Sequence, residues 1–143
     1  MIDFSDLYEE LTAQQIAFYQ FDVGEQKSAT IEMRGRYAVF IDMASFPTLA
    51  ESKRAIAHEI GHCATGCTHQ VCSPLDLIEK HEFEANKWAT ERFLPYDEIC
   101  TALAEGHIEP WQLAEYFGIS EKAIRWALRY YIENRGLRFN VAS

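Results

Sequence analysis

One stretch, "KRAIAHEIGHCATG" at residues 53–66, constrains this chain more than any other, because it places two imidazoles and a carboxylate inside an apolar helical pattern. Thr48 and Glu51 fit a capping box, which marks the start of a helix. Gly66 is the kind of residue that follows the last turn of a helix. These signals predict one helix from about residue 48 to residue 66.

The predicted helix has an apolar face and a face that bears histidines. The apolar face is formed by Ile56, Ile60, Cys63 and Ala64. His58 and His62 are four residues apart, so both imidazoles project from the same side of a helix. Glu59 lies about 100° round the helix axis from His58. The two histidines can therefore bind one metal ion, while Glu59 lies beside them without being a ligand.

This arrangement is the H-E-x-x-H pattern of zinc peptidases. In such a site Zn²⁺ lowers the pKa of its bound water, and Glu59 would take the proton as that water attacks a peptide carbonyl. Gly61 has no side chain and would let another element approach closely. The alternative is a pair of hydrogen-bonded core histidines. A matched pair with the glutamate between them favours the metal site, and we expect zinc.

A third ligand is expected on the next predicted helix, residues 79–93, which stops before Pro95. The candidate ligands on this helix are Glu79, His81, Glu82, Glu84 and Glu91. Helical periodicity does not choose among them, because Glu82 and Glu84 flank the apolar stripe on opposite sides. An exposed glutamate on a helix is also more often solvated surface than a ligand.

The segments "HEIGH" and "EFEANKWATERFLP" together resemble the ImmA/IrrE-type metallopeptidases. By that resemblance Glu84, the glutamate directly before alanine, is the third ligand, and Glu82 is the alternative. Trp88 stands where related thermolysin-like enzymes have an aspartate. The partner that orients His58 or His62 must therefore come from elsewhere in the chain.

The resemblance also implies a zincin-like fold and a gluzincin-like zinc endopeptidase. Its expected substrate is a protein, typically a helix-turn-helix repressor of a phage, another mobile element or a stress response, often encoded alongside. Cleavage of that regulator would relieve repression.

The fold class expected from the whole sequence is α+β, in a single domain over residues 1–143. Residues 1–46 predict a helix and a small antiparallel sheet of three strands, and residues 47–95 predict the two metal-binding helices. Residues 96–143 predict a helical C-terminal part, with breaks near Gly106–His107 and Gly118–Ser120.

Residues 28–42, "SATIEMRGRYAVFID", predict a β-hairpin directly before the metal-binding helix. An extended peptide can add to an exposed sheet edge through main-chain hydrogen bonds. We therefore expect one strand of this hairpin to align the substrate. The alternative is that the hairpin only covers the core.

Residues 111–130 resemble a helix-turn-helix, with Lys122, Arg125 and Arg129 along the second helix. This similarity raises a rival function, a DNA-binding regulator whose metal site is structural or vestigial. The net charge of −9 disfavours DNA, which needs several phosphate contacts. We expect these helices to pack on the core or to dock a protein.

The spacing of Cys63, Cys67 and Cys72, with His69 between them, allows a second metal site, although small buried thiols are the expected interpretation. No apolar run reaches the roughly 18 residues that a membrane helix needs. The acidic, amphipathic N-terminus does not look like a secretory signal. The expected location is the cytoplasm, with no membrane partner.

Overall fold

A three-stranded sheet and six α-helices make up the part of the chain that the computed structural model describes, residues 1–21, 27–66 and 75–139. The strands are β1 (Ala17–Gln20), β2 (Ser28–Met33) and β3 (Arg36–Ile41). The helices are α1 (Phe4–Ala13), α2 (Leu49–Thr65), α3 (Leu75–Phe93), α4 (Tyr96–Ala104), α5 (Pro110–Phe117) and α6 (Glu121–Arg129). A 3₁₀ turn at Met43–Ser45 precedes α2, and a π turn at Tyr130–Asn134 follows α6. The expected α+β class with a helical C-terminal part is confirmed.

The predicted hairpin is present as β2 and β3, which pair antiparallel with Ser28 opposite Ile41. Arg34 and Gly35 connect the two strands, and both have positive φ angles, 55° and 77°. Two positive φ angles are what a two-residue hairpin turn of the favoured twist requires.

The expectation of an entirely antiparallel sheet is wrong, because β1 runs parallel to β3. The strand order is β1-β3-β2, so the neighbour of β1 in space is β3 and not the next strand along the chain. The hairpin reverses direction between β2 and β3, which leaves β3 parallel to β1. Tyr19 and Phe40 stack across this pair with ring centroids 5.3 Å apart. Strand β3 is therefore central, and β2 is an edge strand.

Helix α2 begins and ends as the sequence predicts. The Thr48 hydroxyl accepts a hydrogen bond from the backbone N–H of Glu51, and Gly66 ends the helix with φ 67°. Ile56 and Ile60 are fully buried in the same core as Val39 of β3. This burial fixes the rotation of α2, because its apolar face must point at the sheet.

A glycine sets the distance between α2 and α3. A Cβ atom at Gly61 would lie 2.3 Å from the backbone oxygen of Ala85, far inside van der Waals contact. The predicted close approach of another element at Gly61 is therefore confirmed, and that element is α3.

Helix α3 begins at Leu75, four residues before the expected start at residue 79, and ends before Pro95 as predicted. Residues 75–78, "LDLI", include no glycine or proline, so nothing in them interrupts the helix.

The two helices of the predicted helix-turn-helix pack on the core through residues that are fully or almost fully buried: Leu113, Phe117, Ile124 and Ala127. Arg125 forms an ion pair with Glu121 on its own helix, with the nitrogen and oxygen 2.6 Å apart. The packing role expected of these helices is consistent with this burial. The expectation that they do not bind DNA stays a prediction, and DNA binding stays the rival function.

None of the helices in the described ranges is long and apolar enough to cross a membrane. The cytoplasmic location stays a prediction.

We expect Gly61→Ala to lower the free energy of unfolding by about 2 kcal/mol, because the added methyl group would overlap the backbone carbonyl of Ala85. This loss should exceed the gain from alanine being the better helix former. The measurement is urea denaturation after zinc removal by a chelator. Ala64→Ser is the control. The sequence places Ala64 on the apolar face, but it is exposed in the structure, so the added atom meets solvent. A Gly61→Ala protein at least as stable as the parent would contradict the close contact.

Candidate metal centre

Helix α2 presents His58 and His62 side by side on the face towards α3. Their Nε2 atoms are 3.1 Å apart. The His62 side chain is 6% exposed and the His58 side chain is 14% exposed. The predicted pairing of these imidazoles is therefore present, with both Nε2 atoms directed at one point.

Glu82 of α3 completes this group. One carboxylate oxygen lies 2.6 Å from His58 Nε2, and the other lies 3.0 Å from His62 Nε2. Burial alone would raise the pKa of Glu82, but hydrogen bonds from the two histidines and their positive charge hold that pKa well below its usual range. The carboxylate is therefore ionised at neutral pH, which is the form that binds a metal.

Glu84, the third ligand expected from the resemblance, does not belong to the group of metal-ligating side chains that the structure brings together in its described part. Residues two apart on a helix point about 200° from each other, so Glu82 and Glu84 cannot both face α2. The structure therefore favours the alternative, Glu82. Periodicity alone left the choice open because it does not show which side of α3 meets α2.

Asn86 lies one turn after Glu82 and holds the ring of His58. The Nδ1 atom of His58 is 2.6 Å from the side-chain oxygen of Asn86. With the proton on Nδ1 donated to that oxygen, the lone pair of Nε2 is left free to bind a metal. Asn86 is thus the orienting partner that the sequence did not identify. The signal available was its four-residue spacing from Glu82, which places both on one face of α3.

Glu59 points to the sheet and does not belong to the group of ligating atoms. Its carboxylate accepts a hydrogen bond from the Thr30 hydroxyl and a second from Ser28 Oγ, at 3.3 Å. The residue is only 7% exposed. Ser28 and Thr30 alternate along β2 and so share one face of the strand. Sequence reasoning missed both hydroxyls, although this alternation was visible in "SAT".

Cys63 lies near the same carboxylate. Burial and the negative charge of Glu59 raise the pKa of the Cys63 thiol to about 12. The thiol is therefore protonated at neutral pH, as expected for a small buried side chain and not for a metal ligand. Cys67, His69 and Cys72, the other members of the possible second metal site, lie outside the described residues.

The three side chains fit a zinc ion. One ligating atom from each of His58, His62 and Glu82 can be chosen so that all lie within 4.8 Å of one another. Donors about 2.0–2.1 Å from a tetrahedral zinc ion are separated by roughly 3.3 Å, close to the 3.1 Å between the imidazole nitrogens. Two neutral imidazoles and one carboxylate are also a ligand set that catalytic zinc prefers.

Comparison with protein families gives one match, to the family described as "Peptidase_M78: IrrE N-terminal-like domain", over residues 6–129. Searches of curated proteins and of solved structures found no match. The match covers most of the chain, including both helices of the metal centre. It confirms the resemblance read from the HEIGH and EFEANKWATERFLP segments.

We expect Glu82→Gln to weaken zinc affinity by more than the roughly 10–100-fold that the loss of an outer-shell partner costs, because it removes a charged ligand. Glu84→Gln is the matched control, with the same chemical change two residues along the same helix, and should bind zinc as the parent does. The measurement is competition for zinc with a chromogenic chelator. If Glu82→Gln bound zinc normally and Glu84→Gln bound it weakly, the third ligand would be Glu84 and not Glu82.

Proposed function

Because the chain belongs to the peptidase M78 family, with an IrrE N-terminal-like domain, we propose that it is a zinc-dependent endopeptidase that cleaves a regulatory protein. The observation that carries the proposal is the convergence of His58, His62 and Glu82, contributed by two helices, on a single point. Family membership makes peptide hydrolysis the reaction that such a centre would serve.

In this proposal His58, His62 and Glu82 hold the zinc ion. The ion, when bound, polarises the peptide carbonyl and lowers the pKa of a water molecule. Asn86 keeps His58 in the tautomer that binds through Nε2, by the 2.6 Å hydrogen bond at Nδ1. The two histidines are largely buried, which limits the number of water molecules that compete for the centre.

Glu59 is the proposed general base. It is the residue next to His58 and points about 100° away round α2, so it is beside the centre without competing for the metal. The Glu59 carboxylate accepts the proton of the attacking water and then returns a proton to the amine that leaves. The hydroxyls of Thr30 and Ser28 fix its orientation before substrate arrives.

The free edge of β2 is the proposed binding surface for the substrate backbone. Among the described strands, β2 pairs with β3 on one side only, whereas β3 is paired on both sides. The hairpin strand expected to align the substrate is therefore β2. Strand β2 contacts the carboxylate of Glu59 through Ser28 and Thr30. A peptide that paired with β2 would therefore lie close to that carboxylate.

The proposed substrate is a helix-turn-helix repressor of a mobile element or a stress response, as the ImmA/IrrE resemblance implies. The acidic chain, with its net charge of −9, would be attracted to a basic DNA-binding protein. Cleavage would separate the DNA-binding part of the repressor from the rest.

We expect Glu59→Gln to bind zinc as the parent does and to lose about 10²–10⁴-fold in the rate of cleavage, because glutamine keeps the size of glutamate and cannot accept the proton. The measurements are zinc content after dialysis and mass spectrometry of a candidate helix-turn-helix repressor after incubation with the protein. Glu51→Gln, an exposed position on the same helix, is the control. Cleavage at the parental rate by zinc-loaded Glu59→Gln would rule out this mechanism.

A further inference from the structure

The face of the sheet that is turned away from α2 is apolar and exposed, and we call it the outer face. The opposite face carries Val39 and Ile41, which are fully buried in the core. Side chains alternate between the two faces along a strand, so the residues next to these point outwards. The large residues on the outer face are 52% exposed at Tyr19, 63% at Phe21 and 45% at Ile31. Contiguous exposed apolar patches on a soluble protein often mark interaction sites.

Small and large residues form two rows across the outer face. Residues that are partners in the sheet register point to the same side, so each row takes one residue from each strand. The first row holds Ala17, Ala38 and Ile31, and the second row holds Tyr19, Phe40 and Ala29. Each strand therefore contributes one alanine and one large side chain, with its large residue in the row where it fits the pattern of the whole face.

A second copy of the chain matches this pattern. A two-fold axis that lies between two outer faces and runs across the strands would place each strand over the same strand of the other copy, in the opposite direction. The two rows then exchange places. Each large side chain lies over an alanine of the other copy, in three pairs: Tyr19 over Ala17, Phe40 over Ala38 and Ile31 over Ala29. Sheets packed about 10 Å apart interdigitate in this way, with large residues opposite small ones.

The charges at the two ends of β3 favour the same orientation. Arg36 and Asp42 continue the alternation of the outer face, and the backbone of Asp42 is extended, with φ −98° and ψ 93°. Within the residues that the structure describes, neither side chain forms a hydrogen bond or an ion pair. The two-fold arrangement places Arg36 of each copy over Asp42 of the other. An axis along the strands would instead place Arg36 over Arg36, so charge complementarity selects the axis across the strands.

Long-range repulsion is also smallest in its effect at this face. Two chains that each carry a net charge of −9 repel one another. Residues 28–42, which include β2 and β3, carry two arginines and two acidic residues and so have no net charge. Contact through this segment therefore adds no like charges to the interface.

The size of the outer face sets the strength of such a dimer. Strands β2 and β3 have six residues each, so they are about 20 Å long, and three strands about 4.8 Å apart span about 15 Å. A face of these dimensions buries less than the roughly 800 Å² per partner of a standard interface. The expected dissociation constant is therefore in the micromolar range, about 1–100 µM.

We propose that the outer face binds a second copy of this chain, in a two-fold dimer with the two sheets packed face to face and each strand antiparallel to its counterpart. The proposal does not depend on the proposed peptidase function. Helix α2 packs on the opposite face of the sheet, so the dimer leaves both metal centres and both free edges of β2 accessible.

Sedimentation equilibrium of the purified full chain, from about 1 to 300 µM, tests the proposal. We expect the average mass to rise with concentration from the 16.5 kDa of one chain towards twice that mass. Tyr19→Asp should raise the dissociation constant at least about tenfold, because it buries a carboxylate opposite an alanine. Gln20→Asp is the matched control, since it adds the same charge at the next exposed position, on the other face of β1, and should dimerise as the parent does. Circular dichroism checks that both variants are folded.

A charge exchange tests the orientation of the two copies. Arg36→Asp and Asp42→Arg each place like charges over one another at two symmetric positions, and each should raise the dissociation constant about tenfold. The double variant restores opposite charges and should dimerise within about twofold of the parent. A double variant as weak as the single variants would contradict the two-fold arrangement.

A parent protein that stays monomeric over the whole concentration range would overturn the proposal. A dimer that Tyr19→Asp leaves unchanged would also overturn it, because that dimer would form through another surface. If the parent is monomeric and Tyr19→Asp, but not Gln20→Asp, slows cleavage of a candidate repressor, the outer face binds the substrate and not a second copy.

Discussion

The contact between Gly61 of α2 and the backbone of Ala85 in α3 is the constraint on which the rest of the site depends. It brings two helix backbones closer than any residue with a side chain would allow at that point. From that contact, Glu82 and Asn86 fall on either side of Ala85 along α3. The first reaches the Nε2 atoms of the histidines, and the second reaches Nδ1 of His58. The absence of a side chain at Gly61 thus allows both Glu82 and Asn86 to reach the histidines.

The second constraint is the burial of the apolar face of α2 against the sheet. With Ile56 and Ile60 facing the core, His58 and His62 must face α3, and Glu59 must face β2. The helix therefore directs its two histidines towards α3 and the Glu59 carboxylate towards β2. In the proposed mechanism this difference in direction would let Glu59 accept a proton without binding the metal.

Features that depend on local spacing could be predicted from the sequence. The four-residue spacing of His58 and His62 predicted that their imidazoles lie side by side. The absence of a side chain at Gly61 predicted that another element approaches the helix closely there. The two strand-like segments on either side of Arg34–Gly35 predicted the hairpin. Features that depend on which elements meet in space could not be predicted. The choice of Glu82 over Glu84 requires the face of α3 that meets α2, and the parallel pairing of β1 requires knowledge that β3 is central.

X-ray absorption at the zinc edge of the purified protein tests the central claim most directly, namely that α2 and α3 together form a zinc site of two imidazoles and a carboxylate. The account predicts nitrogen and oxygen ligands at about 2.0–2.1 Å, with the multiple scattering of two imidazole rings. A sulfur shell at about 2.3 Å, which would indicate cysteine ligands, would contradict it.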